Sequence, residues 1–400
     1  MATHPQRSFA RSVGPAREVF GAFLLLGLTS FGGPVAHIGY FRTEFVERRR
    51  WLSEQTFADL VALCQFLPGP ASSKVGFALG WMRAGAWGAA AAWTAFTLPS
   101  ALLMVAFALG TASWSGPVYD GILYGLKITT VSIVAHAVWG MARVLCPDWQ
   151  RIGIALAALM VVRLAEGAFG QVAAILAGAL AGMVLCRKED NTPVHALPIA
   201  VSPRTGWLAG ATAATLLVAL PLLAPLSPTL AVLDSFYRAG ALVFGGGHVV
   251  LPLLEAEVVQ SGRVSAGEFL SGYGAAQALP GPLFSFAAYL GTIMKPDGGL
   301  LQAAMALGMI FLPGMLLLVA ALPHWNRFRS QPQTQAVMRG ANAAVVGILA
   351  AAFVHPVWSS TITGPLPLVL ALLGFALLTR VPPWAVVLFL AGSGLAARLL

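Results

Sequence analysis

One stretch, occurring twice, limits what this chain can fold into. Phe66-Leu67-Pro68-Gly69-Pro70-Ala71-Ser72-Ser73-Lys74 and Ala278-Leu279-Pro280-Gly281-Pro282-Leu283-Phe284-Ser285 each interrupt a long apolar run. Pro68 and Pro280 have no backbone N–H to donate, and their rings clash with the preceding turn. Gly69 and Gly281 let the backbone reverse. Pro70 and Pro282 then suit the first position of a new helix, where a missing N–H costs nothing. Each copy therefore reads as helix, break, helix. At membrane depth, bare backbone survives only within protein or beside a water-filled cavity. Broken helices of this kind point to a binding site.

The membrane setting follows from composition. The chain is 58% hydrophobic and only 10% charged, with a mean hydropathy of +0.79, against roughly 25% charged residues in soluble proteins. Runs long enough for a bilayer core of about 30 Å recur throughout, and the alternating pattern of a β-barrel is absent. We expect an all-α polytopic membrane protein. A net charge of +9 would suggest nucleic acid in a soluble chain. Here the basic residues sit in short loops and set topology, so the expected surroundings are a lipid bilayer and no nucleic acid. Cys64, Cys146 and Cys186 are far apart and lack metal-ligand spacing; no metal and no cofactor is expected. Arg7, Arg11 and Arg17 precede an apolar run as in a signal peptide, but Gly32-Gly33-Pro34 follows instead of a small-residue cleavage site. We read the run as a mature membrane element.

The pattern is duplicated. Phe31-Gly32-Gly33 pairs with Phe244-Gly245-Gly246, and Glu44 with Glu257. Ser53 and Phe57 pair with Ser265 and Phe269, Gln65 through Pro70 with Gln277 through Pro282, and Leu98-Pro99 with Leu312-Pro313. The first repeat is 1–190, a linker with its own span is 191–228, and the second repeat is 229–400. Loop 42–50 has four arginines and its partner 255–263 has one; loop 111–118 has no Lys or Arg, whereas its partner 323–336 holds Arg327 and Arg329. Basic residues swap sides between halves, which predicts two inverted-topology repeats. If the N-terminus, loop 42–50 and Arg83 share the cytoplasmic side, 18–50 and 56–82 are re-entrant hairpins, and nine crossings result.

On Phe31-Gly32-Gly33-Pro34, Glu44-Phe45-Val46-Glu47-Arg48-Arg49-Arg50-Trp51-Leu52 and the two Pro-Gly-Pro stretches, the sequence resembles the chromate ion transporter family in its two-domain form. Phe244-Gly245-Gly246-Gly247-His248 resembles the family's second domain. The resemblance covers nearly the whole chain. It implies a multi-pass protein of the bacterial inner (plasma) membrane that exports chromate and confers chromate resistance. Sulfate, a tetrahedral dianion of similar size, stays open as a substrate, and a homodimer stays open as an assembly. An anion channel and an intramembrane redox enzyme are the rivals. Sparse carboxylates and scattered cysteines argue against the enzyme, so no catalytic residue is assigned.

Oxyanion binding needs donors and positive potential. Helix N-termini supply both, and new helices near Pro34, Pro70, Gly247 and Pro282 give four, with Gly32, Gly33, Gly69, Gly246, Gly247 and Gly281 shaping the approach. Ser72, Ser73 and Ser285 either donate to the anion or cap their own helices. Lys74 either attracts the anion or snorkels to the interface. Lys127, whose equivalent is Asn342, is a candidate for lining or gating a single shared site. Gln65 and Gln277 precede the breaks and either bond freed backbone groups or coordinate substrate. His37 and His248 follow the glycine breaks and can take up protons, although a buried histidine is commonly just hydrogen-bonded. Glu44 and Glu257 read equally as partners of basic residues at a cavity mouth or as solvated loop residues. No Gly-x-x-x-x-Gly-Lys loop is present, so the membrane potential or ion exchange is the expected energy source.

Overall fold

The computed structural model describes residues 15–113, 116–165, 167–186, 201–244, 247–296, 298–325 and 331–399. Gly246, Arg7, Arg11, Arg327, Arg329 and the linker charges Arg187–Asp190 lie outside them. Every regular element among the described residues is helical.

The first repeat opens with α1 (Ala16–Thr29), a glycine bend, and α2 (Gly33–Phe41), which continues as a π-helical turn, Arg42–Arg48. Next comes α3 (Glu54–Phe66), capped by Ser53, whose hydroxyl accepts from the Thr56 N–H. Past the break, α4 (Ala71–Ser113) consists of two antiparallel limbs, 71–83 and 86–113. The reversal is made by Ala84 and by Gly85 at φ +61. The limbs touch where glycines meet: a Cβ on Gly80 would lie 2.3 Å from the Gly88 carbonyl oxygen. Phe23, Phe41, Phe45 and Phe96 pack together beneath these hairpins.

Ion pairs close this end of the molecule. Arg83 reaches Glu18 at 3.0 Å, Arg49 reaches it at 3.8 Å, and Arg83 stacks 5.3 Å from the Trp51 ring. The start of α1, the end of the π-helical turn and the end of the first α4 limb therefore share one mouth. Both 15–50 and 53–83 enter and leave on the same side, which is the re-entrant arrangement expected from the loop charges.

After the linker helix α8 (Pro203–Leu223), the second repeat has the same order. It runs α9 (Pro228–Ala241), a tight turn into α10 (Val250–Leu254), a π-helical turn Glu255–Val259, α11 (Ala266–Ala276) and α12 (Phe286–Ile293). Ser265 caps α11 in a reciprocal box with Glu268. Past the end of α12, the Lys295 N–H donates to the Arg263 carbonyl at 3.0 Å, so this hairpin also returns to its own mouth. The two mouths face opposite ways. Limb 86–113 leaves beside Arg83, and its far part sets Phe107 5.7 Å from Tyr289, whose hydroxyl donates to the Glu268 carbonyl at the start of α11. The 24 residues between 83 and 107 span about 36 Å. The repeats are inverted.

The remaining helices cross over. α5 (Pro117–Leu145) packs against α15 (Pro365–Leu378) and α16 (Pro383–Leu399) of the other repeat, and α14 (Pro332–Ala352) against α6 (Trp149–Leu164) and α7 (Gly167–Leu185). The contacts run through small residues: Gly125 on Leu390 and Ala391, and Gly340 on Gly178 and Gly182. With hydrocarbon outside as apolar as the side chains, close backbone approach is what holds such helices together. α8 packs on α9 and α13 (Leu300–Ala321) and leaves Trp207, Leu208 and Leu222 exposed toward lipid. Among the described residues five helices are long and apolar enough to cross a membrane. One of these runs includes the reversal at Ala84–Gly85, so only limb 86–113 makes the crossing. The other four expected crossings, α6, α7, α15 and α16, have 16, 19, 14 and 17 residues, or about 21 to 28 Å.

A Cβ on Gly340 would meet the Gly178 carbonyl oxygen at 2.1 Å, whereas one on Gly140 would meet nothing within 4 Å. Gly340→Leu is expected to lower the melting temperature of detergent-purified protein by several degrees, and Gly140→Ala to leave it level or raise it. Tryptophan-fluorescence melts of the two variants beside the parent check this.

Candidate functional site

The four breaks meet at the centre, and they do so twice over. The Gly69 N–H donates to the Val243 carbonyl at 2.7 Å, and the Gly281 N–H donates to the Ser30 carbonyl at 2.9 Å. In the register that pairs Phe31 with Phe244, Ser30 is the equivalent of Val243 and Gly69 of Gly281. One bond is thus made twice with the halves exchanged. Gly69 packs on Gly314, the residue after Pro313, and Gly281 packs on Ser100, the residue after Pro99. Pro34 touches Gly247, its own equivalent. Gly69 at φ +99 and Gly281 at φ +94 occupy left-handed backbone, and a Cβ on Gly69 would lie 2.7 Å from the Gly314 Cα.

This geometry corrects one expectation. The N–H groups of Gly69 and Gly281 are spent on the opposite repeat and are not open to an anion. The cause is the medium: a backbone donor at this depth must take a protein carbonyl. In the second half the new helices are also tightened, with Gly247–Val249 and Leu283–Ser285 wound as 3-10 turns. Ser285 is buried there, and its N–H donates to Pro282. The first half keeps the better helix end. α2 starts at Gly33 with Pro34 in its first turn and no capping side chain, and a Cβ on Gly33 would enter open space. Gly32, at φ +101, turns the chain into it.

Lys74 does not snorkel. It is 0% exposed. Its Nζ donates to the carbonyls of Leu67 at 2.5 Å and Pro68 at 2.9 Å. The ammonium thus caps the C-terminal end of α3 across the break. Those partners are dipoles, and among the described residues no carboxylate pairs with it. Ser72 and Ser73, in the same turn, are also buried. Ser72 Oγ lies 3.4 Å from His37 Nδ1, and His37 Nε2 lies 3.2 Å from the Ser30 carbonyl. Among the described residues Ser73 Oγ, Ser30 Oγ and Thr97 Oγ1 have no hydrogen-bond partner, and Gln277 Nε2 makes no well-formed bond although its side chain lies beside the Tyr273 hydroxyl. These four can all donate, and each lies in a break or, for Thr97, next to Phe96, on which Gly281 packs.

The second half presents a different group. His248 Nδ1 is 2.8 Å from the Tyr273 hydroxyl, and His136 of α5 is a neighbouring titratable group. Their equivalents in the first repeat are Val35 and Val61. Gln65, the counterpart of Gln277, is exposed. Lys127 falls elsewhere than at the junction: its Nζ stands over Gly267, 2.8 Å from where a Cβ would be. Gly267 begins α11, ten residues or about 15 Å before Gln277. Lys127 therefore lines the second mouth, because the 3.6-residue period turns it toward α11. Asn342 has a buried Oδ1 without a partner. Ser30, Thr97 and Tyr273 escaped the sequence reading; the adjacency of Ser30 and Thr97 to Phe31-Gly32 and Leu98-Pro99 was the available signal.

The mouths carry opposite charge balances at equivalent positions. Glu44 is bonded by both Arg48 at 3.0 Å and Arg49 at 2.5 Å. Glu257 shares the single Arg238 Nη2 with Asp234, at 3.0 and 2.6 Å. Neither glutamate is the solvated loop residue that the sequence left open. At the first mouth, outside the spanning segments, burial works against the Glu44 carboxylate, but the hydrogen bonds from Arg49 and Arg48 outweigh it and hold its pKa below the usual range. A depressed carboxylate contributes stability that is present above its unfolded pKa, about 4.3, and lost as pH falls through the folded value. Glu44→Gln should therefore lower the melting temperature at pH 7 and shrink the parent's loss of stability below about pH 4. Melts from pH 3 to 8 check both signs.

The model of a family described as chromate transporter matches residues 17–183 and 230–396, one match per repeat. The chain is 30% identical to the probable chromate transport protein of Synechococcus elongatus, over 83% of this chain and 82% of that one. It is 28% identical to the chromate transport protein of Pseudomonas aeruginosa, over 84% and 79%. It is 27% identical to that of Cupriavidus metallidurans, over 95% and 92%. No solved structure matches.

Proposed function

We propose, from the premise that this chain belongs to the chromate transporter family, that it is a secondary transporter that moves chromate outward across the bacterial inner membrane. One observation carries the choice of cargo. Lys74 is a wholly buried amine whose bonded partners are neutral carbonyls, so its protonated form lacks a counter-charge. An uncompensated buried charge is strongly unfavourable, and a mobile dianion is the partner that cancels it without trapping the protein in one state. Ser73, Ser30 and Thr97 bring donors that lack acceptors among the described residues, Gln277 brings a poorly bonded one, and a tetrahedral oxyanion brings acceptors on every face.

The membrane potential favours this direction. Each charge moved across 100 mV is worth about 2.3 kcal/mol, so a dianion leaving a negative interior gains roughly twice that. Inverted hairpins that open to opposite faces around one junction suit alternating access. Sulfate offers the same charge and shape to the same donors and is the close second cargo.

Purified protein in liposomes with an imposed potential tests the reading, with labelled chromate and sulfate followed side by side. Saturable outward chromate flux is expected. Ohmic current would make the protein a channel, and reduced chromium without flux would make it an enzyme. Lys74→Ala is expected to cut flux at least tenfold at unchanged expression, and Lys127→Ala to cut it less, because its amine lies at the mouth. Full flux in Lys74→Ala would remove the buried cation from the mechanism. Ser73→Ala is expected to weaken anion binding about tenfold or more, the range for hydrogen bonds to charged groups, with no loss of melting temperature. Isothermal titration with chromate checks this.

A further inference from the structure

His37 and Ser72 form a pair whose hydrogen count depends on one proton. We propose that His37 is a proton switch for the oxyanion site: its protonation releases the Ser72 hydroxyl hydrogen to the anion, so that binding one dianion takes up a proton. This rests on the oxyanion reading above and adds a proton carried with the anion, in which case one net negative charge, not two, moves down the membrane potential.

The geometry fixes the tautomer. A backbone carbonyl can only accept, so the contact of 3.2 Å from Nε2 to Ser30 O places a hydrogen on Nε2. In the neutral ring Nδ1 is then a lone pair. The facing Ser72 Oγ, 3.4 Å away, donates to it, and the single hydroxyl hydrogen of Ser72 is used up. Adding a proton at Nδ1 reverses the bond. Nδ1–H donates to Ser72 Oγ, and the Ser72 O–H is freed for another acceptor. One proton from solvent ends on Nδ1, no other bond changes, and the site gains one donor and one positive charge.

The surroundings hold the ring neutral until an anion arrives. His37 is 0% exposed. The Phe96 ring stands edge-on at 5.2 Å. Of the charged and titratable groups on neighbouring elements, Lys74 is turned to the Leu67 and Pro68 carbonyls. Glu44 is held by Arg48 and Arg49, Glu18 by Arg83, and the Cys64 thiol is buried in the same core. Among the described residues no ionised side chain bonds the imidazole, so a dianion at the break would be the new charge it meets, and opposite charge favours the protonated ring. The device exists in one half alone: the equivalents of His37 and Ser72 are Val250 and Phe284.

Sulfate is the probe, since it remains a dianion where chromate itself takes up a proton. Calorimetric titration of detergent-purified protein with sulfate, in two buffers of different ionisation enthalpy from pH 5.5 to 8.5, counts the protons. The parent should take up as much as one proton per sulfate where the bound ring is protonated and the free ring neutral, with affinity falling by up to tenfold per pH unit in that window and levelling off toward the alkaline end as the bound ring also loses its proton. His37→Gln should bind with a flat pH profile and no uptake. Ser72→Ala, which keeps the ring and its charge, should still take up a proton but gain less affinity at low pH than the parent. Sulfate binding by the parent without proton uptake, or undiminished uptake in His37→Gln, overturns the switch and leaves the oxyanion reading standing. Absence of sulfate and chromate binding at every pH overturns both.

Discussion

A backbone N–H broken out of a helix inside a membrane has no water to turn to, and the structure is built around that constraint. Gly69 and Gly281 face it at equivalent places, and each solves it with the carbonyl before the glycine bend of the other repeat. In each break the glycine N–H is satisfied by the other repeat. The mutual bond is therefore both the glue between halves and the reason the breaks come together. The glycine-lined approaches at Gly314 and Ser100 follow from it, because backbones must come close for the bond to form. The crossed packing of α5 and α14 against the opposite repeat's last helices repeats the same logic at the periphery.

The scaffold is near-symmetric, but the chemistry is not. Lys74, Ser72 and His37 on one side correspond to Phe286, Phe284 and Val250 on the other, while His248 and Tyr273 correspond to Val35 and Val61. A pair of identical cationic breaks would hold a dianion between two ammonium groups and release it slowly. On the proposed reading, one buried lysine, neutral donors and a titratable ring give a site whose grip can vary. Duplication supplied the frame, and divergence within it left one half with a buried lysine and the other with the His248–Tyr273 pair.

Much of this was legible in the sequence because proline and glycine act locally. The two breaks, the register of the repeats, the re-entrant hairpins and the opposed mouths follow from Pro68, Pro280, Gly69, Gly281 and the loop arginines. What the sequence did not show depends on partners remote along the chain. The Gly69 N–H reads as free until Val243 is seen beside it. Lys127 reads as lining or gating the site alike until the turn of α5 sets it over Gly267. Ser30 and Thr97 look like ordinary helix residues, and only their burial without partners marks them.

The claim that an anion sits where the four breaks meet is tested most directly by locating one. Selenate is a tetrahedral dianion that carries its own anomalous scatterer. Diffraction from crystals grown in selenate, with data at the selenium edge, should give a peak within hydrogen-bonding reach of Ser73 and Gln277 and close to Lys74. A peak only at the mouths, or none at the junction in crystals that bind selenate elsewhere, would contradict the account.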